Sequence, residues 1–215
     1  MKFDAAKLDE QRVLDVPGML RQLGVKPGSK VIVAGSTHDG EEGILAGAYQ
    51  RLRARHPDTF LVIVPRHFER AQKAMEDIKA QGVRAQFRNL VTAQTQVEEG
   101  ALDCLLVNTT GELRYFYEYA DVVFVGKSLT AEGGQNPIEP GALAKPILFG
   151  PHMENFTAIA DALVARGGAL MIQDAAALEH ALGDLLASES RRQEMGRQAL
   201  AVVREQNPAR WVIVD

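Results

Sequence analysis

Residues 59–64, Thr59-Phe60-Leu61-Val62-Ile63-Val64, form an unbroken apolar run rich in β-branched side chains, with polar or turn residues on either side. A strand with one wet face alternates in polarity, whereas a strand buried on both faces of a parallel sheet reads as a continuous hydrophobic run. The run therefore predicts an interior strand of a parallel sheet. Parallel neighbours need long crossover connections, usually helices, and the flanking sequence supplies them. Upstream, residues 30–34 (KVIVA) end in Gly35, and a helix is expected over 41–56, with Ile44, Leu45, Ala48, Tyr49 and Leu52 on one face. Downstream, a charged helix is expected over 68–81, closed by Gly82.

The alternation continues to the end of the chain. Further strands are expected at 84–88, 103–107, 121–125, 146–149 and 169–172, with helices near 113–119, 137–144, 155–166, 176–187 and 190–205. This order predicts an α/β fold: a Rossmann-like, doubly wound, mostly parallel sheet with helices on both faces. Residues 1–29 read as a linker with one short helix at 16–23, residues 30–206 as a single ligand-binding domain, and residues 207–215 as a tail set off by Asn207-Pro208.

The chain has 215 residues, enough to bury a substantial core, and its formal net charge of −4 argues against a general nucleic-acid or membrane-surface binder. Cys104 is the single cysteine, so no intramolecular disulfide is possible; its setting among Leu105, Leu106 and Val107 reads as strand core. There is no apolar run of about 18 residues and no signal-like N-terminus, which gives a cytoplasmic expectation. The five histidines have no metal-ligand spacing, so neither a metal nor a cofactor is expected. Dinucleotide, P-loop and nucleophile-elbow motifs are also missing.

In such sheets, ligands sit at the carboxyl ends of the strands. The loops expected there carry Gly35-Ser36-Thr37-His38, then Arg66-His67, then Thr109-Thr110-Gly111-Glu112. The next carries Gly126-Lys127-Ser128, Gly133-Gly134-Gln135-Asn136-Pro137 and Glu139, and the last Gly150-Pro151-His152 with Asn155. Glycines allow close backbone approach, hydroxyls and helix-start N–H groups hold anions, and a guanidinium clamps phosphate or stacks on a base. A carboxylate on a first helical turn can accept from a ribose diol. Each feature also has a purely structural explanation, such as a helix cap formed by Asn136 and Glu139.

Together, Ala34-Gly-Ser-Thr-His38, Val64-Pro-Arg-His67, Thr110-Gly-Glu-Leu113, Gly133-Gly-Gln-Asn-Pro-Ile-Glu-Pro140 and Gly150-Pro-His-Met-Glu-Asn-Phe156 resemble one family, the 3-deoxy-D-manno-octulosonic acid (Kdo) transferases. The resemblance is to their C-terminal domain, one half of a GT-B glycosyltransferase, and it covers roughly residues 2–205. It implies CMP-Kdo as donor and lipid A precursor as acceptor, in lipopolysaccharide biosynthesis at the cytoplasmic face of the inner membrane. Arg66, Gly111 and Glu112 would meet the cytidine. Gly126, Ser128, Gly133, Gly134, Gln135 and Asn136 would hold the phosphate, and Glu139 the ribose. Gly35, Ser36, Thr37, His67, His152 and Asn155 would line the sugar end.

The resemblance also implies a partner, the N-terminal acceptor-binding domain that carries the general base. Lys2-Phe3-Asp4 resembles the end of the family's interdomain linker, so the chain is expected to begin at the domain boundary and to be inactive alone. Phe3, Leu8 and the apolar stretch at 211–214 would then be exposed docking ends. Two other readings remain open: half of a sugar-nucleotide epimerase with the same fold, and a non-catalytic nucleotide-binding module.

Overall fold

The computed structural model describes residues 14–206, so the expected docking ends at Phe3, Leu8 and 211–214 lie outside the described residues. The apolar runs form seven strands: β1 (Lys30–Thr37), β2 (Thr59–Pro65), β3 (Ala85–Phe87), β4 (Cys104–Leu106), β5 (Val122–Val125), β6 (Ile147–Phe149) and β7 (Ala169–Met171). All pair in parallel in one sheet of order β3-β4-β2-β1-β5-β6-β7. The helices are α1 (Val16–Gln22), α2 (Glu41–Leu52), α3 (Ala71–Ala80), α4 (Leu113–Glu118), α5 (Ile138–Ala142), α6 (Thr157–Ala165), α7 (Ala175–Ala187) and α8 (Glu189–Gln206).

Strand periodicity divides the core in two. Ile32, Ala34, Leu61, Ile63, Cys104, Leu106 and Phe124 face one side, against α2, α3 and α7. Val31, Val33, Phe60, Val62, Leu105, Val123 and Phe149 face the other, against α1, α4, α6 and α8. Every residue of β2 is buried, as its unbroken apolar run requires. Cys104 is fully buried, and burial pushes its thiol well above the usual range, so it packs as a small hydrophobe. Within the segment expected to be a linker, Val16, Met19, Leu20 and Leu23 are buried in the second core.

Several boundaries differ from expectation. The helix expected over 41–56 ends at Leu52, and the one expected over 68–81 opens with a tight turn over Phe68–Arg70 before α3 begins. β1 runs three residues past Ala34, through Gly35, Ser36 and Thr37, which the sequence placed in a loop. No helix among the described residues is long and apolar enough to cross a membrane.

From β1 the chain passes to β2 and on to the edge strand β3, steps back to place β4 between β3 and β2, then crosses to pair β5 on the other side of β1. The carboxyl ends of β1 and β5 thus flank the point where winding reverses, which is where open α/β sheets form ligand crevices.

Candidate functional site

The glycines at this edge are there for backbone contact between strands. The Gly126 N–H donates to the Gly35 carbonyl at 2.8 Å, and a Cβ on Gly126 would lie 2.4 Å from the Ser36 carbonyl oxygen. Ser36 itself has φ of +55°, and the β1–β2 register shifts between Gly35 and Thr37. That local bulge turns Ser36 out of the ladder. Thr37 remains fully buried; its hydroxyl donates to Glu42 Oε1 at 2.9 Å, and its carbonyl accepts the Arg66 N–H. Gly35 and Thr37, expected in a loop lining the sugar end, are buried groups of β1 and do not line the cleft.

Two carboxylates that the sequence reading passed over organise the edge. Glu41 is fully buried and accepts four backbone N–H groups: His38 and Lys127 at 2.8 Å, Ser128 and Leu129 at 2.9 Å. Successive N–H groups converging on one anion form a backbone nest. The Ser128 hydroxyl donates to the Val125 carbonyl at 2.5 Å and accepts the Gly150 N–H at 2.8 Å. The expectation that Gly126 and Ser128 hold a phosphate is corrected accordingly: the N–H groups that follow Gly126 serve Glu41, and the Ser128 hydroxyl ties β5 to β6. Glu42 is buried beside Thr37 and Arg70; burial raises its carboxyl pKa, partly offset by bonds from its own N–H, Thr37 and Arg70.

In front of this scaffold lies an open cleft of about 450 Å3, lined by Ser36, Arg66, Gly111, Leu113, Arg114, Tyr117, Gln135, Asn136, Glu139 and Phe156. Of the residues expected from the sequence, it brings together Ser36, Arg66, Gly111, Gln135, Asn136 and Glu139. Gly111 sits at φ +79°, a conformation suited to glycine, at the turn into α4. Asn136 Oδ1 accepts the Ile138 N–H at 2.9 Å in a turn leading into α5, and Glu139 is exposed at the cleft. Glu112 points elsewhere, held by Arg88 at 3.0 Å and by the Thr109 hydroxyl at 2.5 Å.

Gly133, Gly134, His152 and Asn155 do not line this cleft. Gly134 donates to the Lys127 carbonyl at 2.8 Å and Gly133 to Glu154 Oε2 at 2.6 Å, while the Asn155 N–H donates to the Gly133 carbonyl at 3.0 Å. The Gly133 N–H holds the Glu154 carboxyl below the usual range, helped by its own N–H and by His152, whose Nδ1 is 3.3 Å away. His67 is exposed beside Arg66 without lining the cleft. Leu113, Arg114, Tyr117 and Phe156 were missed. The i, i+4 spacing of Leu113 and Tyr117 on α4 signalled those two, and Arg114 lies between them.

A larger concavity, about 610 Å3, lies between α1 and the segment after β3. It lacks the glycine turns and the Arg66, Arg114 and Glu139 charges. The smaller cleft lies where the fold reverses and offers guanidinium groups, a carboxylate and flat apolar walls. That set suits a ligand with an anion, a diol and a ring.

No family model matches the chain. The 3-deoxy-D-manno-octulosonic acid transferase of Haemophilus influenzae is 34% identical over 219 residues, an alignment taking in 100% of this chain and 49% of that protein. The enzyme of the same name from Bordetella pertussis is 38% identical over 178 residues, covering 81% of this chain and 41% of that protein. Among solved structures, the C-terminal CMP-Kdo binding domain of WaaA from Acinetobacter baumannii superposes with a TM-score of 0.78 at 26% identity, covering 87% of this chain and 95% of that one. The chain spans about half the length of the curated relatives it matches. By sequence along its length and by fold, the chain belongs to the 3-deoxy-D-manno-octulosonic acid transferase family, as a counterpart of the C-terminal, Rossmann-like half of these GT-B glycosyltransferases.

Proposed function

We propose that the chain is the donor-binding half of a glycosyltransferase that moves Kdo from CMP-Kdo to a lipid A precursor at the cytoplasmic face of the inner membrane. The observation that carries this reading is the gathering of Arg66, Gly111, Asn136 and Glu139 in one cleft at the carboxyl ends of the strands. Leu113, Tyr117 and Phe156 provide walls for a pyrimidine, and Arg66 and Arg114 offset the charge of the nucleotide. Glu139 is the one carboxylate lining the cleft among the described residues, and we assign it to the ribose hydroxyls.

The phosphate is assigned to the turn around Gln135 and Asn136, since the Lys127–Leu129 N–H groups are committed to Glu41. With Glu139 on the ribose, the base that activates the acceptor hydroxyl comes from the facing N-terminal domain. Catalysis then requires donor and base to meet across the cleft, so this half binds without turning over.

CMP should raise the melting temperature more than UMP or AMP at equal millimolar concentration. Equal shifts for all three, or none, would overturn the cytidine assignment, and a preference for UMP would favour a uridine-nucleotide enzyme of the same fold. Glu139→Gln should weaken CMP binding about tenfold, the loss expected for one charged hydrogen-bond partner. Calorimetric titration beside a denaturation curve checks it: normal affinity with a lowered melting point would make Glu139 a helix-start residue only.

A further inference from the structure

Glu41 contacts nothing in the cleft, yet its bonds lead toward it. The peptide plane that gives Glu41 the Ser128 N–H carries the Lys127 carbonyl on its far side, and that carbonyl accepts the Gly134 N–H at 2.8 Å. The next plane gives Glu41 the Leu129 N–H, and its Ser128 carbonyl accepts the His152 N–H at 2.9 Å. A peptide polarised by a charged acceptor on its N–H side binds more strongly through its carbonyl. Both glycine-containing motif segments thus hang on planes whose orientation one carboxylate sets. Lys127 is held at φ +50°, a region that costs a non-glycine residue free energy and persists only where the surroundings over-determine it. A charge placed only to complement the dipole of α2 needs neither full burial nor bonds to a loop 86–88 positions away.

We propose that Glu41 is a positioning residue: its carboxylate fills the Lys127–Leu129 nest as a built-in anion. It thereby fixes the turn that presents Gln135 and Asn136 to the ligand, so affinity in the cleft depends on that nest being filled. For its affinity readout alone, this inference rests on the nucleotide reading above.

The test uses the full chain as wild type, Glu41→Ala and Glu41→Gln, in about 0.1 M formate or in chloride of the same concentration. Formate is the Glu41 carboxylate without its tether. The readouts are amide hydrogen exchange by NMR at Gly134, His152 and, as a remote reference, Leu61, together with calorimetric CMP affinity. In chloride, Glu41→Ala should exchange Gly134 and His152 at least tenfold faster and bind CMP at least tenfold more weakly, with Leu61 unchanged. Formate should restore most of both losses and leave wild type unaffected. Glu41→Gln should be impaired and not rescued, because its side chain still occupies the nest while pointing an NH2 at N–H donors.

Wild-type exchange at Gly134 and His152 in both variants would overturn the proposal, as would losses in Glu41→Ala that formate leaves in place. If Glu41→Ala folds only in formate, the proposal is supported. If it folds in neither salt, Glu41→Gln decides: retained protection at Gly134 and His152 overturns the proposal, and selective loss there supports it. Should wild type fail to bind CMP, the nucleotide reading falls while the exchange readout still judges Glu41.

Discussion

Gly150→Ala should lower the stability of this domain by about 3 kcal/mol, at the upper end for overpacking a well-filled site. The added methyl would sit 2.0 Å from the Ser128 carbonyl oxygen, 2.3 Å from its carbon and 2.5 Å from Leu129 Cα. All three are backbone atoms, and none can yield locally. The Ser128 N–H is bound to Glu41, its carbonyl accepts from His152, and its hydroxyl bridges Val125 and Gly150 itself. Gly150 does not occupy the left-handed region, so backbone strain is not the cause. Gly35→Ala provides the control. Its Cβ would also lie 2.0 Å from a neighbour, but that neighbour is the Tyr117 hydroxyl, with Tyr117 Cζ at 2.7 Å and Leu113 Cδ1 at 2.9 Å next. Side chains can turn aside, and a cost of about 1–2 kcal/mol is expected. Urea denaturation of the two variants checks the order. Equal losses, or a Gly150→Ala loss under about 1 kcal/mol, would mean that the end of β6 slides freely past Ser128.

The second large effect lies at the opposite end of the sheet. Asp103 is almost fully buried and accepts from Arg84 Nε and Nη2 at 2.8 Å and from the Arg84 backbone N–H at 3.0 Å, with Arg53 Nη1 at 2.9 Å. Burial by itself would raise its pKa. The Arg84 hydrogen bonds and the charges of Arg53 and Arg84 outweigh it, and the net shift is downward. Asp103→Asn should therefore cost about 2 kcal/mol at neutral pH: the buried amide turns an NH2 toward arginine donors, while the half-exposed Arg84 regains part of its hydration. A carboxyl whose folded pKa lies below its unfolded value stabilises fully above the unfolded value, about 3.9, and loses that contribution as pH falls through the folded one. The stability gap between wild type and Asp103→Asn should thus be constant from neutral pH to about pH 5 and close as pH falls below about 4. A gap that stays open at low pH would show that the substitution acts through packing rather than charge.

The strands could be read from the sequence because burial on both faces leaves no room for polar alternation: residues 59–64 are buried in full within β2. The ends of elements were harder. Gly35-Ser36-Thr37 carries loop chemistry, yet β1 continues through it because Gly126 meets Gly35 across the sheet and Glu42 takes the Thr37 hydroxyl. Arg66, just past β2, and Glu139, on the first turn of α5, could be singled out because they sit among polar loops at one sheet edge, and both line the cleft. Glu41 was not found. An acidic residue on a first helical turn has a sufficient local explanation, and its true partners at Lys127–Leu129 are distant in sequence. Ser128 misled for the complementary reason: its hydroxyl serves Val125 and Gly150, and only the fold brings Gly150 near.

The pairing of β1 with β5 also bears on the order of folding. Asp121, at the entrance to β5, accepts the Val31 N–H across 90 positions of chain, so closing this seam before the intervening strands and helices condense carries the entropy cost of a long loop. The cleft straddles the seam, with Ser36 and Arg66 on one bank and Gln135, Asn136 and Glu139 on the other. A form with the seam open presents one bank alone, so a ligand that touches both banks should stabilise the closed state. A cut in the connection between α4 and β5 would yield two fragments, each with half of the cleft. On the donor-binding reading proposed above, CMP should drive their reassociation.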